Sequence, residues 1–217
     1  MTVLLVTFGY LLGSISLAYL VARWIRGIDL RRWGSGTVSG TGVYYHVSKW
    51  AVVLVGIFDL AKGAFPTWLG LRLDLGLPVA LAAGLAAVVG HNWPFYLRFK
   101  GGRGLATMGG MLLVVFPWSA LWLGPALGIG RLFRYTGLGG LLGLATLPIL
   151  GLIIGQSPAV IWACGGMLLL TVIKRLEANR LPLPPPGPKR RRVLICRLLF
   201  DRDVGPREVW TERGLIK

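Results

Sequence analysis

Charge is scarce in this chain. Only 15% of its 217 residues are Asp, Glu, Lys or Arg, while 54% are hydrophobic and the mean hydropathy is +0.66. A soluble globular domain does not carry such values, so the bilayer is the expected solvent. Cysteine is nearly absent: Cys164 lies in an apolar segment and Cys196 in a basic tail. That leaves no disulfide framework and no CxxC pair for a metal. Nucleotide motifs are missing too. GxxxxGK[ST] does not occur, and residues 34–40 approach GxGxxG with the third glycine out of register and no strand before it. A positive n-region before the first apolar run is also lacking, since Arg23, Arg26, Arg31 and Arg32 all follow it. This reads as an uncleaved first span with its amino end outside, and not as a signal peptide.

What is abundant is glycine and positive charge. Thirty-two glycines in so apolar a chain suggest helices that approach closely in a compact bundle. The GxxxG pairs Gly139–Gly143 and Gly151–Gly155 fit that packing role. The net charge of +16 is unevenly spread, with 12 of the 24 Lys and Arg in residues 174–217 and the rest mostly in short loops between apolar runs. Loops of this kind belong on the cytoplasmic side near anionic lipid. The basic residues are thus divided among membrane loops, which excludes a nucleic-acid surface.

The apolar runs predict an all-α, polytopic integral membrane bundle of about seven transmembrane segments, each sized by the ~20 residues that cross a hydrocarbon core. They are 2–22, Trp50–Leu71, Leu77–Trp93, a stretch from Leu105 divided by Pro117 into 105–117 and 118–133, Leu138–Ile154, and Ala159–Ile173. Seven segments put nearly every basic loop inside and the carboxyl tail in the cytoplasm. Residues 1–181 form the membrane domain. Residues 182–217 begin with LPLPPPGPKRRR, a proline-rich linker, followed by VLICRLLF, a short strand or amphipathic segment. The polybasic run binds anionic lipid or a specific partner.

Two loops are candidates for chemistry. The first, Gly34 to Gly42, alternates glycines with Ser35, Thr37, Ser39 and Thr41; its composition disfavours regular structure and favours exposed amides. The second lies in His91 to Thr107, HNWPFYLRFKGGRGLAT, with Arg98, Lys100 and Arg103 around Gly101, Gly102 and Gly104. Glycine amides joined by cations make a nest for phosphate oxygens; the alternative is a mobile loop that binds lipid head groups non-specifically. Asp59 and Lys62 sit inside a span at i and i+3, either as an ion pair that staples the bundle or in contact with substrate. Neither His46 nor His91 is followed four residues later by aspartate, so the usual acyl-CoA-dependent acyltransferase signature is missing.

Gly13-Ser14-Ile15 with Ala18-Tyr19-Leu20, Gly34-Ser35-Gly36, Asp59-Leu60-x-Lys62-Gly63-x-x-Pro66, Gly90-His91-x-x-Pro94, Phe99 to Thr107 and Arg134-Tyr135-Thr136 occur in this order. Over roughly residues 5–181 the chain resembles the PlsY-type bacterial glycerol-3-phosphate acyltransferases. The resemblance implies a seven-helix enzyme of the bacterial cytoplasmic membrane. It would move a fatty acyl group from acyl phosphate to glycerol 3-phosphate, without acyl-CoA, metal or organic cofactor, and its partners would be these substrates and membrane lipids. On that reading His91, Lys100 and Ser35 are catalytic. Substrate would be held by Gly34, Gly36, Thr41, Gly101, Gly102, Arg103, Arg134, Thr136 (where the family carries serine) and Arg175. Lys100, Arg103 and the amides of Gly101 and Gly102 would serve the acyl phosphate, and His91 would orient or deprotonate the attacking hydroxyl or else brace the loop.

The departures fall on the acceptor side. The family pattern GSGNxGATNxxR has lost both asparagines here, and Tyr45 replaces its arginine, a natural partner for the acceptor phosphate. In the last segment, Lys174 to Leu181, Arg175 takes the place of the family's histidine and Asn179 is one residue out of step. Arg175 or Arg180 would compensate. Otherwise the acceptor differs, or the chain is a catalytically weak relative acting as a lipid-binding scaffold.

Overall fold

The computed structural model describes residues 1–179 and 182–205, so Arg180 and the end of the tail lie outside the described residues. Among these the protein is helical, with no strand. The helices are α1 (Thr2–Ser14), α2 (Leu17–Arg26), α3 (Gly40–His46), α4 (Ala51–Arg72), α5 (Leu77–Asn92), α6 (Leu105–Val115), α7 (Ala120–Leu132), α8 (Thr136–Ile153), α9 (Pro158–Glu177) and α10 (Pro188–Phe200). Thr2–Arg26 taken together, α4, α8 and α9 are long and apolar enough to cross a membrane, and α6 is a shorter apolar helix. Ile57, Leu152 and Trp162 are exposed on outer faces, as suits a protein solvated by lipid.

The pairs α1 with α5, α4 with α6, and α7 with α8 pack most closely, and small residues permit it. A Cβ on Gly63 would run into the carbonyl of Thr107, and one on Gly13 into that of Ala87. Without a hydrophobic drive between helices in lipid, such close backbone contact supplies much of the cohesion. Of the two GxxxG pairs, Gly139 and Gly143 do face α7, at Ala126 and Leu123. Gly155 instead closes the turn after α8 in the left-handed region at φ 75°. The main core gathers Val88, Met108, Met111, Phe116, Leu144, Leu147 and Met167, and a second cluster of Ala18, Val21, Leu30, Val38, Val43 and Leu97 underlies the loops.

Three expectations about the elements change. The first apolar run is not continuous: α1 ends at Ser14 and α2 starts at Leu17 under a Ser16 cap. The break frees the Ile15 carbonyl, which accepts from the Lys62 ammonium at 3.1 Å, and the Ser16 amide, which donates to the Tyr96 hydroxyl at 2.6 Å. Irregular backbone at this depth is tolerable because protein groups satisfy it. Second, the Gly34–Gly42 region is not irregular throughout, since α3 begins at Gly40 with its amide at Gly42 capped by Ser39. Third, the basic run and VLICRLLF form a single helix, α10, with Pro188 in its first turn, where a missing N–H costs nothing. The division at Pro117 stands, with one tight turn between α6 and α7.

Candidate active site

The segments 27–39, 93–104 and 133–135 connect helices at the same end of the bundle, and hydrogen bonds tie the first two to each other and to Asn179 just past α9. The Val38 amide donates to the Gly101 carbonyl at 3.2 Å. The Asn179 side-chain amide donates to both the Gly36 and Gly101 carbonyls, at 3.2 and 2.6 Å. One buried asparagine therefore clamps the two glycine-rich loops.

Beneath them lies a polar cluster inside the bundle. Asp59 accepts from Lys62 at 2.8 Å and lies 3.5 Å from His91 Nδ1. All three side chains are buried, a costly arrangement unless the charges are matched. Lys62 also reaches the Ile15 carbonyl, so this pair staples α4 to the α1–α2 break and to α5. His91 carries the loop above: its carbonyl accepts from the Gly102 amide at 3.0 Å, and a Cβ on Gly102 would strike its Nε2. This geometry favours the bracing role of His91 over direct deprotonation of a substrate hydroxyl.

The amides of Gly101 and Gly102 are not open donors, since they bond the carbonyls of Asn92 (3.2 Å) and His91. Glycine is required at these positions by crowding: side chains there would meet the carbonyls of His91 and Asn92, Pro94 and the Val38 carbonyl. The expected amide nest thus becomes a tightly folded pedestal. Lys100 projects from it, exposed, with its ammonium unpartnered among the described residues. Arg103 turns inward, with Nη1 donating to the Lys174 carbonyl at 2.7 Å and Nε paired with Asp201 at 2.6 Å.

On the facing side, the Ser35 hydroxyl donates to Thr37 at 3.0 Å. Gly34 and Gly36 take positive φ, and the Gly36 amide is spent on the Trp33 carbonyl. Thr41 in α3 and Arg134 and Thr136 at the start of α8 are exposed. Arg175 does not face this space. Its Nη1 and Nη2 donate to the carbonyls of Leu198 and Gly137, both at 2.8 Å, so it anchors α10 to α8 instead of holding substrate.

Sequence reasoning missed three contributors. Lys174 is fully buried, lies over the Trp93 ring at 4.9 Å and donates to the Phe99 carbonyl and Glu177. The clamping Asn179 and the tail residue Asp201 are the others. For Lys174 and Asn179 the signal was a polar, basic run at the end of an apolar span; for Asp201 local sequence holds none. Outside the spans, Asp29 accepts from Arg31 at 2.7 Å. Burial opposes its ionised form, but the Arg31 bonds and charge outweigh this and keep its carboxyl below the usual range.

Residues 3–181 match the model of a family described as glycerol-3-phosphate acyltransferase. The glycerol-3-phosphate acyltransferase 5 of Dehalococcoides mccartyi is 39% identical over 213 residues, 95% of this chain and 91% of the relative. The enzyme of Synechococcus is 38% identical, covering 82% and 89%. The crystal structure of PlsY (YgiH), an integral membrane glycerol 3-phosphate acyltransferase, in its glycerol 3-phosphate form superposes with a TM-score of 0.75 at 32% identity, covering 81% of this chain and 88% of that one. Its lysophosphatidic acid form gives 0.72 at 30% identity over the same shares.

Proposed function

The chain belongs to the glycerol-3-phosphate acyltransferase family, and from that premise we propose the reaction, substrates and site. It is a membrane acyltransferase of phospholipid biosynthesis that acylates glycerol 3-phosphate to lysophosphatidic acid. The relatives' names and the two liganded forms of PlsY support this acceptor and product. The donor is acyl phosphate. One hydroxyl oxygen of glycerol 3-phosphate attacks the carbonyl carbon, the bond from that carbon to the phosphate oxygen breaks, and inorganic phosphate leaves and takes up the hydroxyl proton.

A mixed anhydride is already activated, so the protein's task is to bring two anions together and stabilise the charge that develops on them. The observation that carries the site is the exposed Lys100, unpartnered among the described residues, on a pedestal fixed by Asn92, His91 and Asn179. A cation held over a rigid loop costs no reorganisation when charge appears on the leaving phosphate. Ser35, Thr41, Thr136 and Arg134 line the acceptor side. Arg103, Asp59, Lys62 and His91 position the loops and do not touch substrate.

We also propose seven membrane crossings with the amino end outside and this mouth at the inner face of a bacterial cytoplasmic membrane. Nearly all the loop cations lie at that end, while Arg72 and Asp74 are the charges at the other among the described residues, as the positive-inside rule requires. Purified protein in detergent, given palmitoyl phosphate with and without glycerol 3-phosphate, should release phosphate and form lysophosphatidic acid only with both present. Well-folded protein that turns over palmitoyl-CoA and not palmitoyl phosphate overturns the donor assignment.

A further inference from the structure

The C-terminal segment carries charge into the acceptor side of the mouth. α10 lies on the first turn of α8: a Cβ on Gly137 would stand 2.9 Å from the Phe200 carbonyl carbon and 3.3 Å from Asp201 Cβ, and the rings of Tyr135 and Phe200 are 5.7 Å apart. It is anchored from both sides. Arg175 of α9 bonds the Leu198 carbonyl, and Arg197 of α10 bonds the Leu176 carbonyl at 3.0 Å. This segment lies beyond the family match at residue 181, yet the Dehalococcoides relative aligns with 95% of the chain, so the similarity continues into it.

After Phe200 the chain turns sharply through Asp201, at φ 58°. Asp201 goes to Arg103 at 2.6 Å and Asp203 to Arg197 at 2.5 Å, so both carboxylates of the turn are committed. Arg202 between them is half-buried, and its Nε is enclosed without a hydrogen-bond partner among the described residues. Its electrostatic neighbours are Cys196, Asp201, Tyr45 and Tyr135. Tyr45 belongs to α3, and Tyr135 immediately precedes Thr136. Arg202 is therefore within electrostatic reach of the two elements that supply Thr41 and Thr136.

Arg103, Arg175 and Arg202 all act on the single carboxylate of Asp201. Among the described residues, three guanidinium groups to one carboxylate leave this corner with surplus positive charge. Withdrawing a cation from water without a counter-ion is costly, and burial does oppose the charged form of Arg202. An anionic ligand relieves that cost. Guanidinium suits a phosphate monoester because its planar fork meets two oxygens at once.

We propose that Arg202, delivered by the C-terminal segment, binds the phosphate of the acceptor and so makes the tail part of the acceptor site. The inference rests on the acyltransferase reading above. Soluble acceptor and anionic phospholipid present the same phosphate chemistry, and the test separates them.

The full chain is assayed for phosphate release from palmitoyl phosphate while glycerol 3-phosphate is varied, in nanodiscs of phosphatidylcholine alone and of phosphatidylcholine with phosphatidylglycerol. In both lipids Arg202→Ala should raise KM for glycerol 3-phosphate about tenfold, the loss of one charge-assisted hydrogen bond. Its kcat and its KM for palmitoyl phosphate should stay within about twofold, and Arg202→Lys should recover part of the effect. An unchanged acceptor KM in protein that melts like wild type overturns the proposal. So does an equal rise in both KM values, or a defect confined to the phosphatidylglycerol discs. Wild-type protein without acceptor-dependent turnover would instead overturn the acyltransferase reading itself.

Discussion

The two loops that face each other at the mouth are built differently. The Phe99–Gly104 loop is tied to α5 through His91 and Asn92, to α9 through Lys174 and Asn179, and to the tail through Asp201. The Gly34–Tyr45 segment leans on that loop directly at Val38 and through Asn179 at Gly36, and its outer residues Thr41 and Tyr45 are exposed. One is a fixed platform rooted in charges inside the bundle, the other a covering wall completed by the tail. The difference suits the division of labour: a leaving phosphate needs preorganised charge, whereas an acceptor must enter and its product depart.

The platform should fail first at its root. Asp59→Ala leaves Lys62 buried without its carboxylate, and stability should fall by about 3–5 kcal/mol, read as a lowered midpoint of denaturant unfolding in detergent. Adding Lys62→Met to that variant should recover much of the loss, whereas no recovery would mean that the pair does not act as a unit. Lys100→Ala should leave unfolding unchanged and cut kcat about a hundredfold. Gly102→Ala forces a Cβ against His91 and Val38 and should cost about 1–3 kcal/mol of stability. The equivalent change at Gly27, whose added Cβ meets nothing within 4 Å, costs only the strain of its left-handed backbone.

Asn179→Ala removes a clamp between platform and wall. It should lower kcat/KM about tenfold and raise amide exchange at Val38 more than at Gly102, which would show that the wall is the part released. Trp93→Phe removes an indole bond to Glu177 at 2.6 Å on an exposed edge and keeps an aromatic ring at the position that faces Lys174. Its effect on the unfolding midpoint should correspond to about 1 kcal/mol, the smallest of the set.

What was legible in the sequence follows from how far each contact reaches. Asp59 and Lys62 lie one helical turn apart, so their pairing could be read from spacing, and Pro117 announces its own break. The facing of the loops followed from the alternation of spans and was met by the Val38–Gly101 bond. The break at Ile15 depends on Lys62 and Tyr96, 47 and 80 residues from their partners, and no local pattern shows it. The glycine amides read as free because composition shows that amides are accessible but not where they turn. Arg175 read as a substrate ligand because its charge is visible in sequence, while the carbonyls that hold it belong to α8 and α10. The tail read as a linker because its prolines dominate; its helix is set by packing on α8 and α9.

The measurement closest to the centre of this account is acceptor-dependent phosphate release from palmitoyl phosphate by Lys100→Ala protein that unfolds like wild type. The account predicts a rate about a hundredfold below wild type at saturating glycerol 3-phosphate. A variant that released phosphate at the wild-type rate would show that the platform is not where the acyl group is transferred.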